Sequence, residues 1–189
     1  MIRIGILGDI GSGKSYIAKN FGYPVFNADE EVVKLYKRNK RIFLKLKKVL
    51  PKFIYSFPVN KKEIINAIFE NKINLKKISK IIHSEIRKEM NKFLKKHVNK
   101  KIVILDIPLL LENKIDKKGD ILVFVKSNKK AILKRLKKRP GFNYKLFINF
   151  KKIQLPLDYK MKKSHFIIRN NFTNKFFKRD IKYILKRIL

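Results

Sequence analysis

Gly8-Asp9-Ile10-Gly11-Ser12-Gly13-Lys14-Ser15 decides how the rest of this chain is read. It fits the pattern G-x-x-x-x-G-K-[ST]. Glycine tolerates positive φ, so such a loop can turn successive backbone N–H groups inward around an anion. A short apolar run, residues 2–7, precedes it, and a helical stretch follows to about residue 21. The run reads as a buried parallel strand. A helix starting directly after the loop aims its N-terminal N–H groups and positive dipole end at the same point. The expected ligand is the phosphate chain of a nucleotide, held by Gly8, Gly11, Ser12, Gly13, Lys14, Ser15 and Tyr16. Lys14 would reach the β- and γ-phosphates, Ser15 would place its hydroxyl on Mg²⁺, and the Tyr16 N–H could reach the α-phosphate.

Working outward, residues 23–27 read as a second strand and 30–38 as a helix. Residues 41–50 carry a helical apolar stripe. Asn60 is a plausible cap for a helix through 69, and Asn74 for a longer one to about 97. The period then changes. Ile102-Val103-Ile104-Leu105-Asp106 is a continuous buried strand closed by a carboxylate, and 120–125 is another. A helix over 128–139 is stopped by Pro140-Gly141. Residues 142–159 are aromatic and basic, with no clear period. A short strand at 165–168 and a helix from Asn174 to the end complete the chain. Strand–helix alternation argues for a three-layer α/β/α core around a five-stranded parallel sheet. The expected division is a core of about 1–38, 101–139 and 160–189, a helical insertion of about 39–100, and a lid of about 140–159.

Composition excludes several classes. The chain has 189 residues and no cysteine, which removes disulfide scaffolds, thiolate zinc sites and cysteine nucleophiles. No apolar run is long enough to span a membrane, and the N-terminus reads as a strand rather than a leader, so a cytoplasmic protein without a membrane partner is expected. Of 49 basic residues 40 are Lys and 9 Arg, against 14 acidic ones, for a net charge of +35. Arg is the better residue for bidentate or stacked recognition of nucleic acid. Lys is spread through nearly every segment beside abundant Asn and Ile, which reads as genome composition, so no specific nucleic-acid partner is expected. Oligomeric state is not encoded in any motif; a monomer is the expectation.

A phosphate loop leaves the reaction open. Asn113-Lys114-Ile115-Asp116 and Asp116-Lys117-Lys118-Gly119 match GTPase patterns, but they overlap on Asp116 and stand in reversed order, so they read as coincidence. A kinase needs a metal-orienting carboxylate, a base near the acceptor hydroxyl, an acceptor pocket and mobile cations. Asp106 ends a strand on the edge where ligands gather, and is the candidate metal-side carboxylate beside Ser15. Asp29 follows the second strand on that edge and could take the proton of an attacking hydroxyl, although helix capping competes for it. Arg135 and Arg139 lie four apart on one helical face before Pro140, placed to stabilise a transferring phosphoryl group. His83 and Arg87 are also four apart, and could bind an anionic acceptor.

These pieces together resemble the dephospho-CoA kinase family, which phosphorylates the ribose 3′-hydroxyl of dephospho-CoA in the last step of coenzyme A synthesis. The resemblance runs in order over most of the chain: the glycine loop, Asn27-Ala28-Asp29, His83-Ser84-Glu85-Ile86-Arg87, Pro108-Leu109-Leu110-Leu111-Glu112 after Asp106, the two lid arginines, Gln154, and a late strand ending at Asn170. It implies ATP with Mg²⁺ as donor complex, dephospho-CoA as acceptor, and Asp29 as the residue nearest the 3′-hydroxyl. It also implies that Lys14, Asp29, Arg135 and Arg139 carry catalysis, and that His83, Arg87, Pro108 and Leu109 contact the acceptor. The chain departs from the family pattern at Asp9, Tyr16, Asn27, Ser84 and His165. Asp9 would put a carboxylate beside bound phosphates, so its side chain is expected to point outward. A nucleoside or nucleoside-monophosphate kinase shares the loop and lid, and a basic RNA-binding NTPase is the rival of another class.

Overall fold

The computed structural model describes residues 1–172 and 176–189. Among them the chain divides into two compact units, residues 1–27 with 97–189, and residues 28–96.

The first unit is built on five parallel strands: β1 (Ile2–Gly8), β2 (Val25–Asn27), β3 (Ile102–Asp106), β4 (Ile121–Lys126) and β5 (Phe166–Arg169), in the order β2-β3-β1-β4-β5. β1 is central. Gly5 pairs with Leu105 on one side and Leu122 on the other. Strand order therefore diverges on either side of β1, and its carboxyl end is the crevice where α/β sheets take ligands. One sheet face presents Ile4, Ile6, Ile104, Val123, Val125 and Ile168, all buried. They pack against Ile17, Ala18 and Phe21 of α1 (Lys14–Asn20) with its last turn, and against Phe177, Ile181 and Ile184 of the C-terminal helix. That face explains why β1 and β3 read as unbroken apolar runs: a strand covered on both sides has no solvent face to alternate with. On the other face Leu110 lies where a side chain on Gly5 would be.

The second unit holds four helices: α2 (Ala28–Arg38), α3 (Lys40–Val49), α4 (Lys61–Glu70) and α5 (Lys72–Lys96). The expected stripes form its core, with Ile42, Phe43, Leu46, Ile64, Ile68, Ile78, Ile82, Ile86 and Met90 buried. Asn60 caps α4 as expected, its side chain accepting from Lys62 N–H at 2.9 Å. Asn74 does not cap α5. Asn71 fills that role by accepting from Ile73 N–H at 2.8 Å, and Asn74 is buried and donates to the Ala67 carbonyl at 2.9 Å. Only one residue separates α4 from α5, so the cap falls at the link itself.

The remaining helices belong to the first unit: α6 (Lys129–Lys137), α7 (Tyr144–Lys152), α8 (Leu157–Lys162) and α9 (Phe177–Ile188). The unassigned stretch 142–159 is thus largely helical, opened by the Asn143 cap and re-started after Pro156. The expected helix start at Asn174 lies outside the described residues. No helix among the described residues is long and apolar enough to cross a membrane.

Candidate active site

The loop after β1 is shaped by what its glycines permit. Gly8 has φ of 145°, and a Cβ there would stand 2.7 Å from the Val125 carbonyl of β4. Gly13 has φ of 92° and caps α1, with the Asn170 amide where its side chain would be. Any L-residue at either place would be both strained and in collision. Ile17 N–H then bonds the Gly13 carbonyl at 3.0 Å, opening the helical ladder of α1. The crown of the loop is pinned from two other strands: the Ser12 carbonyl accepts from Ser127 Oγ, just past β4, at 2.9 Å and from Asn170 Nδ2, just past β5, at 2.8 Å. Lys14 is buried, and its ammonium donates to the Asp9 carbonyl at 2.8 Å and to the Gly8 carbonyl at 3.2 Å. An ammonium folded over the loop mouth can exchange these weak carbonyl bonds for charged phosphate oxygens. Ser15 and Tyr16 are exposed on the first turn of α1, and Tyr16 stacks edge-on against Phe177.

Asp106 is buried at the end of β3, level with Asn27 in the β2–β3 register. Asn27 Nδ2 donates to Asp106 Oδ2 at 2.7 Å. A carboxylate at position 27 would face Asp106 at the same spacing and repel it, whereas the Asn27 amide donates a hydrogen bond to it. Pro108 and Leu109 form the turn that follows, where the Leu109 carbonyl accepts from Asn113 N–H at 3.1 Å and from its side-chain amide at 2.9 Å. Asn113 thus closes a turn, and Lys114 follows with φ of 50°. Asp120 binds the Lys117 N–H and the Arg3 guanidinium, each at 2.9 Å, and burial raises its carboxyl above the ordinary value against both of those bonds. The GTPase-like stretch is a set of turn contacts.

Two expectations change here. Asp9 does not point outward: it is buried, its Oδ1 accepting from Ile10 N–H at 2.8 Å. Arg135 and Arg139 do not share a helical face. Arg135 is on α6, its guanidinium 4.1 Å from the Phe172 ring centroid and donating to the Gly11 carbonyl at 3.5 Å. Arg139 lies beyond the helix, in a turn where its N–H bonds the Leu136 carbonyl at 3.0 Å. The residue before a proline is pushed out of the α region, so the helix ends short of Pro140.

In the second unit, β2 runs directly into α2, so Asp29 sits exposed in the first helical turn with Glu30 and Glu31. Three carboxylates there complement the helix dipole. His83 and Arg87 lie one turn apart on α5. Burial, then the Arg87 charge, holds the His83 imidazole below its ordinary pKa of 6.5, so it is neutral at physiological pH. The two units supply these residues separately: Gly8 to Tyr16, Asp106, Pro108, Leu109, Arg135 and Arg139 in the first, Asp29, His83 and Arg87 in the second.

The sequence reading passed over Ser127, Lys151 and Lys160, the last paired with Glu112 of the Pro108-Leu109-Leu110-Leu111-Glu112 segment. Lys160 Nζ lies 2.6 Å from Glu112 Oε1, which also accepts from Leu155 N–H at 3.0 Å. In a chain with 40 lysines, nothing local marks Lys160 as a buried one.

Against known proteins, the family model for dephospho-CoA kinase matches residues 2–175. The chain belongs to the dephospho-CoA kinase family. It is an ATP-dependent kinase, a transferase. A dephospho-CoA kinase from the Wolbachia of Brugia malayi is 34% identical over 170 residues, covering 87% of each chain. Its counterpart from Wolbachia pipientis wMel is 30% identical over 187 residues, covering 96% of this chain and 95% of that one. A Thermus thermophilus crystal structure superposes over 100% of this chain and 98% of its own, with a TM-score of 0.80 and 25% identity. The dephospho-CoA kinase of Campylobacter jejuni shares the fold, with a TM-score of 0.64 at 22% identity over 98% of this chain and 96% of that one. The family's order of motifs and the five-stranded parallel sheet thus meet in one chain.

Proposed function

We propose that this chain transfers the γ-phosphoryl group of ATP to the ribose 3′-hydroxyl of dephospho-CoA, giving coenzyme A and ADP in the cytoplasm. The observation that carries the reading is the loop itself: a positive-φ glycine turn at the carboxyl end of the central strand, with Lys14 held over it, in a member of this family. Asp29 takes the proton of the acceptor hydroxyl as the new P–O bond forms. Lys14, Arg135 and Arg139 stabilise the charge on the transferring group, whose loose transition state asks mainly for positioning and electrostatics. Arg135 is already oriented by the Gly11 carbonyl and the Phe172 ring, so its guanidinium needs little reordering. His83, Arg87, Pro108 and Leu109 contact the acceptor, the helical insertion of 39–100 shapes its pocket, and the 140–159 segment serves as lid.

Mg²⁺ fits the donor set. The exposed Ser15 hydroxyl and the Asp106 carboxylate are hard oxygen ligands, and Mg²⁺ in such sites takes one or two protein ligands beside phosphate oxygens and water. Among the described residues no cluster of three or more His, Cys, Asp or Glu could hold a metal alone, in keeping with an ion that arrives with the nucleotide. When bound, it would neutralise phosphate charge; Ser15 and Asp106 would hold it.

The decisive experiment is an acceptor screen. ADP should form with dephospho-CoA, ATP and Mg²⁺, and not with nucleosides or nucleoside monophosphates. Turnover of a nucleoside in preference to dephospho-CoA would refute the assignment. A +35 surface acting only as a diffuse field predicts RNA binding that is lost by ~200 mM salt.

A further inference from the structure

Asp9 places a carboxylate inside a loop built to hold an anion. Its side chain is 8% exposed, and a buried charge must be partnered. Oδ1 accepts the Ile10 N–H of the loop, and Oδ2 lies 3.7 Å from Lys151 Nζ, on α7. In this structure packing brings α7 to the loop: Ile10 sits against a cluster of Ile132, Leu136 and Phe147. The Phe147 ring also lies 5.6 Å from Lys151 Nζ, so the ammonium is flanked by a carboxylate and an aromatic face. On the other side of the same residue, the Asp9 carbonyl binds Lys14 Nζ at 2.8 Å. Two ammonium groups therefore bracket Asp9, one on its side chain and one on its backbone.

We propose that Lys151 is a positioning residue for ATP. It cancels the Asp9 charge and keeps that carboxylate turned away from Lys14, which would otherwise be drawn to it in competition with phosphate. This inference rests on the ATP reading of the loop. It concerns a residue this chain needs because it carries Asp9 there.

The test is a charge cycle of the unaltered chain, Lys151→Met, Asp9→Asn and the double variant. Asp9→Asn keeps the Oδ1 acceptor for Ile10 N–H while removing the charge. Lys151 is 43% exposed on its side chain, so its loss should leave the fold standing, as thermal melts of each protein will show. In ~50 mM salt, where screening is weak, Lys151→Met should raise the KM for ATP about tenfold and leave the KM for the acceptor in place. In the Asp9→Asn background the same change should move the KM for ATP less than about twofold. Lys151→Arg should restore it. An equal rise in both backgrounds, no rise in either, or no rescue by Arg would overturn the proposal. Calorimetry with Mg·ATP separates the two layers: ATP binding without coupling sinks this inference alone, whereas no ATP binding by the unaltered chain sinks both.

Discussion

The two units hold their candidate residues by different means. In the first, the candidate site is written into the backbone. The Gly8–Ser15 turn has conformations only glycine tolerates, its crown is tied to two neighbouring strands through Ser127 and Asn170, and its lysine is buried. In the second, the candidates are side chains on helices: Asp29 and Arg87 exposed, His83 half-buried, all on elements whose apolar stripes make the core. A backbone cradle is specified by a short contiguous motif. A helix surface is specified by nothing local, because any polar residue satisfies the solvent side of an amphipathic pattern.

The largest expected effect tests the cradle. Lys14→Ala should lower turnover on the order of 10³-fold whatever the acceptor. Activity near the level of the unaltered chain would break the comparison at its strong end. Next comes the helix-borne residue: Asp29→Asn should cut kcat about 10²-fold while ATP binding by calorimetry changes little. Weakened ATP binding with normal turnover would mark Asp29 as a capping group only. Third, Leu46→Ala, at a fully buried site of the helical unit, should cost about 2–5 kcal/mol of stability in denaturant melts. Asn170→Ala removes one of two ties on the Ser12 carbonyl, and should cost about 1–2 kcal/mol and weaken ATP more than the acceptor. The smallest effect is electrostatic. The His83 pKa is lowered on folding, so the unfolded chain binds its proton more readily and this contribution to stability is lost as pH falls below the ordinary value of 6.5. His83→Gln should flatten that part of the fall in thermal midpoint between pH ~7.5 and ~5.5; an unchanged slope would show that other groups carry it.

Legibility followed the range of the interactions. The loop, the apolar β1 and β3, the Asn60 cap and the helical stripes were all readable, because each is a pattern within about a dozen residues. The placement of Arg139 was misread, since a helical spacing was extended to the residue before a proline. Asn74 was misread because an Asn inside a helix donates as readily as one at its start accepts. The outward Asp9 was expected from repulsion with phosphate alone; Lys151, far along the chain, supplies the missing partner.

By itself, then, the amino-acid order settled the glycine turn, the α/β alternation and the family, since those depend on φ freedom, periodicity and motif order. Folding alone decided the β2-β3-β1-β4-β5 arrangement, the Asn27–Asp106 bond across 79 positions, and which lysines are buried. The reason is physical: Asn27, Asp106 and Lys160 are held in the interior by partners that distant chain brings to them, and no window of neighbouring residues contains those partners.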